Sequence, residues 1–180
     1  MFIGPMFSGK STELLRQVSR YKAIGKNVLV VNHTNDTRTD ESIKTHNNVK
    51  HKAVKVKVLK SLLEEHMLMD IDIIAIDEAQ FFPDLKEFIF KIEKTNMILY
   101  MSGLDGDSNR NPFGQILECI PLCDSVVKLR ALDMIDCDGH TKAPFTLRVK
   151  ETTDSQIQIG AKEFYKAVSR ENFLKAMDSQ

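Results

Sequence analysis

The sequence has few features of a secreted, membrane-spanning or nucleic-acid-binding protein. Its three cysteines, Cys119, Cys123 and Cys137, form an odd and sparse set, which is typical of reduced intracellular thiols and not of a disulfide framework. No apolar run approaches the roughly 20 residues that cross a bilayer, and the chain opens directly into an apolar strand, so we expect neither a membrane partner nor a signal peptide. Basic and acidic side chains balance at 25 each, which argues against a general nucleic-acid-binding face. We therefore expect a soluble, intracellular protein.

A glycine-bounded loop near the N-terminus is the most informative stretch of the chain. It matches the phosphate-loop pattern G-x-x-x-x-G-K-[ST] with the residues Gly4, Pro5, Met6, Phe7, Ser8, Gly9, Lys10 and Ser11. Glycines at both ends let the backbone curl so that its N–H groups point at a polyphosphate. The Lys10 ammonium adds a positive charge for the outer phosphates, and the Ser11 hydroxyl suits the magnesium ion that accompanies them. The loop predicts a nucleotide-phosphate site.

Apolar strands alternate with helical patterns over the first 130 residues. This alternation predicts an α/β fold, with a parallel sheet core of the phosphate-loop NTPase type. We expect a first strand at 1–3, a helix that starts near Ser11 and ends at Gly25, a second strand at 27–32, and a buried strand at 71–76. Further helices are predicted at 59–69 and 116–123, another apolar strand at 97–102, and a last core strand at 125–129.

The pattern changes near residue 130. From there to Gly160 apolar residues recur with period two, at Phe145, Leu147 and Val149 on one arm and at Ile157 and Ile159 on the other. Helical spacing returns over 162–177. We therefore expect a nucleotide-binding core domain at 1–130 and a small β-ribbon domain at 131–180 that ends in a helix.

Two acidic residues directly follow the buried strand at 71–76. An acid at the end of an apolar strand is the usual partner of a phosphate loop, so Asp77 is expected to hold the magnesium shell. Glu78 follows it and is a natural general base for a hydroxyl or water nucleophile. The polar stretch after the second strand puts Asp36 and Arg38 either near the phosphates or in a solvated turn, and the sequence leaves both interpretations open.

Several stretches together make the chain resemble the class II thymidine kinases, a family shared by animal cytosol, many bacteria and large DNA viruses. They are residues 4–14, Asp36-Thr37-Arg38, Asp77-Glu78-Ala79-Gln80-Phe81-Phe82-Pro83, Leu104-Asp105-Gly106 and Asn111-Pro112-Phe113-Gly114. The resemblance covers nearly the whole chain. It implies transfer of the γ-phosphate of ATP to the 5′-hydroxyl of thymidine, with deoxyuridine as a second substrate.

The resemblance also implies a role for each part of the site. It extends the ATP-binding set beyond the phosphate loop to Asp36, Arg38 and Gln80. In the family pattern Ser11 and Asp77 serve Mg²⁺, and Glu78 takes the proton of the 5′-hydroxyl. The family is usually tetrameric and inhibited by thymidine triphosphate, so we expect a homotetramer, feedback by dTTP, and a location in the cytoplasm, or in the host cytoplasm if the source is a virus.

A second group of residues corresponds to the nucleoside side of the family site. The residues are Phe81, Leu104, Ser108, Phe113, Thr146, Gln156, Ile157, Gln158, Ile159, Gly160 and Tyr165. Read from the residues alone, Phe81 and Phe82 either line a pocket for a flat ring or both belong to the core. The family often has phenylalanine where this chain has Ser108. This difference puts in question how tightly the pocket binds a nucleoside and which nucleoside it selects.

The chain departs most from the family in its small domain, which is normally clamped by zinc through two C-x-x-C pairs. The first pair falls at Asp133 and Asp136, or at Met134 and Cys137 if the register slips by one, and the second falls at Ser169 and Asn172. Because zinc sites need four thiolate or imidazole ligands, no zinc site is expected. The few weak ligands that remain cannot tie the ribbon to the C-terminal segment through a metal, so the ribbon is predicted to be held by its hairpin and by apolar contacts of Phe145, Leu147, Ile157 and Ile159.

Two other functions share parts of this pattern. An NTP-hydrolysing switch also uses a phosphate loop and an acidic strand, but it has no use for an acceptor pocket. A nucleotide-binding relative that has lost catalysis would have no reason to keep Lys10, Asp77 and Glu78 together. The thymidine kinase interpretation is therefore favoured over both.

Overall fold

The computed structural model describes residues 1–36, 42–44, 50–64, 67–149 and 164–178. The strands are β1 (Phe2–Gly4), β2 (Val28–His33), β3 (Ser42–Lys44), β4 (Lys50–Lys52), β5 (Val54–Val56), β6 (Ile73–Ile76), β7 (Ile98–Leu104), β8 (Val127–Lys128), β9 (Ala131–Leu132), β10 (Lys142–Ala143), β11 (Phe145–Arg148) and β12 (Tyr165–Val168). The helices are α1 (Lys10–Ala23), α2 (Lys60–Glu64), α3 (Leu85–Ile92) and α4 (Arg170–Asp178), with 3₁₀ turns at Ala79–Phe81 and Ile116–Leu122.

Six strands form one sheet in the order β5-β2-β6-β7-β1-β8, and every neighbouring pair runs parallel. The predicted α/β fold with a parallel sheet is therefore confirmed. All four residues of β6 are buried, which is expected of a central strand covered on both faces. Among the described residues, no helix is both long and apolar enough to cross a membrane.

Apolar side chains of alternate residues point to opposite faces of the sheet, and each face has its own core. On one face Ala75 packs with Phe2 and with Leu14 and Val18 of α1. On the other face Ile74 and Ile76 pack with apolar residues that follow β6, namely Phe82, Leu85, Phe88, Ile89, Ile92 and Ile116. Helix α1 ends where predicted, because Gly25 adopts a φ of +77° just beyond it.

Three predicted elements differ from the structure. The helix predicted at 59–69 is described as α2 only over Lys60–Glu64. The strand predicted at 125–129 is β8 at the edge of the sheet, with its residues exposed instead of buried in the core. The helix predicted at 162–177 begins only at Arg170, because Tyr165–Val168 pairs as a strand with β11. Apolar positions at Tyr165, Ala167 and Val168 fit either period, so pairing decides this segment.

We use the term small lobe for strands β9 to β12 and helix α4. Strand β9 pairs with β10, and β11 pairs with β12, both antiparallel. The apolar contacts predicted for Phe145 and Leu147 are confirmed, since both pack with Phe173 of α4. The predicted partner arm with Ile157 and Ile159 lies outside the described residues. The division into domains at residue 130 remains a prediction.

Candidate active site

The predicted functional residues gather because they follow the carboxyl ends of parallel strands. In a parallel sheet these ends share one edge, where ligands of open α/β folds bind. Gly4 at the end of β1 pairs with Leu104 at the end of β7, and Ile76 of β6 pairs with Met101 of β7. The phosphate loop after β1, the acids after β6 and the turn after β2 therefore lie along the same edge of the sheet.

The phosphate loop has the curled backbone that its sequence predicts. Gly9 and the non-glycine Phe7 have φ angles of +84° and +63°. At Gly4 a Cβ atom would lie 2.4 Å from the Leu129 carbonyl oxygen, so only glycine fits this close approach. Lys10 begins α1 and is buried, and its Nζ donates a 2.6 Å hydrogen bond to the Pro5 carbonyl oxygen. The ammonium group is thus held over the loop in which a phosphate would sit.

Asp77 directly follows β6 and is 2% exposed. Its Oδ1 accepts a 2.5 Å hydrogen bond from the hydroxyl of Ser102, which is fully buried on β7. Strand β7 lies between β6 and the phosphate-loop strand β1, so Ser102 orients the carboxylate from the intervening strand. Sequence reasoning missed Ser102; the one available signal was a small polar residue near the end of a predicted apolar strand.

Glu78 has a left-handed backbone, with φ of +52°, and its side chain is buried. A non-glycine residue in this region is strained, and such strain concentrates at functional sites. The Gln80 side chain joins Glu78 to the end of β7. Its Nε2 donates to Glu78 Oε2 at 2.6 Å, and its Oε1 accepts from the Leu104 N–H at 3.0 Å. The structure thus gives Gln80 the role of orienting Glu78, while its predicted contact with ATP remains a prediction.

Replacement of Gln80 by methionine tests this orienting role. We expect a fall in kcat of about 10- to 100-fold, because a hydrogen bond to a charged group contributes about 1.5–3 kcal/mol. The Michaelis constant for the nucleoside should change little, as measured by steady-state kinetics. The matched control is Gln17→Met on α1, whose amide is also largely buried and bonds to Glu13. Equal kinetics for the Gln80 and Gln17 variants would contradict the role.

An aromatic group lies beside these acids. Phe81 is only partly buried and contacts Phe113 edge to face, with 5.5 Å between ring centroids. Phe82 is 1% exposed and packs in the core, whereas a contact of Phe81 with a flat ring remains a prediction. His33, at the end of β2, contacts both rings, at 5.7 Å from Phe81 and 4.9 Å from Phe82. Phe113 is 8% exposed, so Phe81 is the more exposed residue of this pair, and the contact of both with a flat base remains a prediction.

The other predicted nucleoside contacts fall in different places. Ser108 is buried and Leu104 is partly buried. The Thr146 hydroxyl oxygen accepts a 3.0 Å hydrogen bond from the Met6 N–H, so it reaches the phosphate loop. Tyr165 is buried, with the Arg148 guanidinium 5.8 Å from its ring centroid. Arg38 and the predicted contacts at Gln156, Ile157, Gln158, Ile159 and Gly160 lie outside the described residues.

Asp36 is 5% exposed, so the alternative of a solvated turn is wrong for this residue. Its Oδ2 accepts a 2.8 Å hydrogen bond from Nδ2 of Asn32, a fully buried residue of β2. The Lys55 ammonium donates to the Asp36 backbone carbonyl at 2.6 Å. Asp36 is thus fixed at the ligand-binding edge of the sheet, and its predicted contact with ATP remains a prediction.

His33 makes the fold sensitive to acid. Burial lowers the pKa of His33, although the carbonyl of Lys57 and the charge of Asp84 oppose this shift. The ring Nδ1 accepts the Asn35 N–H at 3.0 Å, and Nε2 lies 3.1 Å from the Lys57 carbonyl oxygen, which fits a neutral ring protonated at Nε2. A second proton on the ring would bind at Nδ1, and the new N–H group would then face the N–H group of Asn35.

The free energy of unfolding should therefore decrease in acid. The unfolded chain takes up a proton near pH 6.5, while folded His33 resists it, so this contribution is complete above about pH 6.5 and is lost as the pH falls through the lower folded pKa. His33→Gln should flatten the dependence of Tm on pH between 8 and 5. An unchanged pH dependence in the His33 variant would contradict this expectation.

Comparison with known proteins bears directly on this site. Residues 1–173 match the family model described as thymidine kinase. The thymidine kinase of vaccinia virus (strain Western Reserve) is 38% identical over 174 residues, which cover 97% of this chain and 95% of the viral protein. The thymidine kinase of Yaba monkey tumor virus is 39% identical over 175 residues, which cover 97% and 93%. The chain, with its phosphate loop and two acids on one sheet edge, belongs to the thymidine kinase family.

Proposed function

We propose that this protein transfers the γ-phosphate of ATP to the 5′-hydroxyl of thymidine. The observation that carries the proposal is the buried Glu78 carboxylate, held by Gln80 at the sheet edge that the phosphate loop shares. A hydrolytic switch could use the same base to activate water, but it has no use for an acceptor pocket. Membership of the thymidine kinase family supports the same acceptor.

The triphosphate would bind in the phosphate loop, where the curled backbone directs N–H groups inward. The ammonium of Lys10, which bonds to the Pro5 carbonyl in this structure, would turn to the outer phosphates. The positive end of α1 would add to the same attraction. The loop backbone already has two left-handed residues, Phe7 and Gly9, which give it the curl that directs N–H groups at an anion.

The oxygen donors at this edge fit Mg²⁺, which prefers carboxylates, hydroxyls and phosphates. The carboxylate of Asp77, oriented by Ser102, and the hydroxyl of Ser11 would hold it. Bound there, the ion would neutralise charge on the phosphates of ATP.

Glu78 would act as the general base. As the 5′-oxygen of thymidine bonds to the γ-phosphorus, the bond between that phosphorus and the β–γ bridging oxygen breaks and ADP leaves. The proton of the 5′-hydroxyl passes to the Glu78 carboxylate, which Gln80 holds in place. Catalysis in this class of reaction rests mainly on positioning and electrostatic stabilisation, so a fixed carboxylate matters as much as a basic one.

Thymine would stack or pack against Phe81 and Phe113, beside Leu104 and Ser108. Deoxyuridine, which lacks only the methyl group of thymine, is proposed as a weaker substrate. By family resemblance we also propose a homotetramer inhibited by dTTP.

An acceptor panel tests the choice of nucleoside. Purified protein with ATP and Mg²⁺ is given thymidine, deoxyuridine, deoxycytidine, deoxyadenosine or deoxyguanosine, and each monophosphate is quantified. The proposal predicts the highest kcat/KM with thymidine and a lower value with deoxyuridine. A purine nucleoside as the best acceptor would contradict the proposed pocket.

A further inference from the structure

The small lobe contains a carboxylate that is surrounded by hydrogen-bond donors. Asp133, which directly follows β9, is 4% exposed. Its Oδ2 accepts hydrogen bonds from the Ser169 N–H at 2.5 Å and from Asn172 Nδ2 at 3.1 Å. Its Oδ1 accepts the N–H groups of Ile135 at 2.7 Å and Asp136 at 2.9 Å. One side chain thus connects the strand β9 region to the first turn of α4, 36 to 39 residues later in the chain.

These four partners form an anion site and not a cation site. Each directs an N–H group at the Asp133 oxygens, and such donors would face a metal ion with their positive ends. Burial by itself would raise the pKa of Asp133, but the hydrogen bonds from Ser169, Asp136 and Ile135 outweigh it and hold the pKa well below its usual range. The residues at the family's zinc positions therefore do not fit zinc. Asp133 instead joins the ribbon to the C-terminal segment through Ser169 and Asn172, a contact between distant residues that the sequence did not show.

The same connection continues to the phosphate loop. The Met134 N–H donates to the Ala167 carbonyl at 2.9 Å, and the Ala167 N–H lies 3.3 Å from the Met134 sulfur. Ala131, Ala143 and Ala167 form a small buried cluster, against which Met134 and Phe7 pack. Phe7 is the phosphate-loop residue that has a left-handed backbone without being glycine.

A second contact reaches the neighbouring loop residue. Ala167 pairs in register with Thr146, whose hydroxyl accepts the Met6 N–H at 3.0 Å. Phe7 thus packs on strands that include β9, whose end the Asp133 carboxylate joins to α4, while Met6 bonds to β11, which pairs with the strand β12 that leads into α4. The left-handed conformation of Phe7 is strained and persists only where the surroundings hold it.

We propose that Asp133 is a positioning residue for the kinase reaction, a metal-free latch that keeps the small lobe against the phosphate loop and so maintains the loop in its ATP-binding shape. The inference rests on the proposed function only in taking ATP as the ligand of the loop.

The test compares Asp133→Asn with Asp138→Asn. Asparagine keeps the size of the side chain but turns one acceptor oxygen into an amide donor that faces N–H groups. We expect the dissociation constant of Mg-ATP to rise about tenfold or more, while kcat at saturating ATP changes by less than about threefold. Asp138 is the matched control, because it accepts bonds from His140 and Thr141 in the same hairpin but makes no described contact with α4. Asp138→Asn should bind ATP like the parent protein.

A double-mutant cycle separates the latch from a general loss of stability. Thr146→Val removes the acceptor of the Met6 N–H and should itself weaken ATP binding. If Asp133 acts through the same contacts, the double variant will bind ATP about as weakly as the weaker single variant. Additive effects, or an Asp133→Asn protein with parental ATP affinity, would overturn the proposal. Asn172→Ala, which removes only one donor, gives the same test in milder form if Asp133→Asn fails to fold.

Binding is measured by calorimetry without any nucleoside, so a result on the latch does not depend on whether thymidine is the acceptor. The parent protein is also titrated after dialysis against EDTA and return of Mg²⁺. Unchanged ATP affinity supports a metal-free latch. A loss of ATP affinity that is reversed by added Zn²⁺ would overturn the proposal.

Discussion

Replacement of Glu78 by glutamine is expected to lower kcat for thymidine phosphorylation by about two to four orders of magnitude. Glutamine keeps the shape of the side chain but cannot accept the proton of the 5′-hydroxyl. ATP affinity and Tm should remain close to those of the parent protein, because the backbone and the phosphate loop are untouched. Single-turnover rates at saturating ATP and thymidine, together with calorimetric ATP titrations, measure the two effects separately.

The matched control for this variant is Glu87→Gln on α3. Glu87 is exposed and forms an ion pair with Lys91, away from the sheet edge that carries the site. Its replacement should leave kcat unchanged. A Glu78→Gln protein that turns over at close to the parental rate would show that another group accepts the proton.

Replacement of Lys10 by alanine is expected to damage both turnover and triphosphate affinity. Removing one preorganised charged donor from a transition state typically costs about two to three orders of magnitude in kcat. Lys10 contacts the ground-state phosphates as well, so the dissociation constant of ATP should also rise. This joint loss distinguishes Lys10 from Glu78, whose replacement should affect turnover alone.

Lys22→Ala is the control for the loss of a lysine from α1, since Lys22 is exposed in the last turn of the same helix. Its kinetics should match those of the parent protein. Parental ATP affinity in Lys10→Ala would contradict the assignment of the loop.

The parts of the site that the sequence predicts are those set by local spacing. The loop from Gly4 to Ser11 encodes its own curl through glycines at fixed separations, and Asp77 and Glu78 follow a strand that its apolar run identifies. The parallel sheet follows from alternation of strands and helices, and parallel strands bring their carboxyl ends to one edge. These features need no knowledge of distant contacts.

The parts that the sequence did not predict depend on contacts between distant residues. Ser102 orients Asp77 from a neighbouring strand, and Gln80 reaches the backbone of Leu104. Neither contact follows from the identity of a serine or a glutamine in a linear pattern. The misassigned helix at 162–177 has the same cause, because pairing with β11 overrides the local period.

Asp133 shows this limit most clearly. In the sequence Asp133 occupies a position where the family has a zinc-binding cysteine, which indicates that the zinc clamp is lost. In the structure its carboxylate gathers donors from Ile135, Asp136, Ser169 and Asn172, so the connection is present with a different chemistry.

The most direct test of the proposed function uses ATP labelled with ³²P in its γ-phosphate and measures where the label goes. The protein is incubated with Mg²⁺ and this ATP, with and without thymidine, and ADP, inorganic phosphate and thymidine 5′-monophosphate are separated and counted. The proposed function predicts that ADP forms only when thymidine is present, and that the label appears in thymidine monophosphate in equal amount. Release of labelled inorganic phosphate at the same rate without thymidine, or no turnover with it, would contradict the proposal.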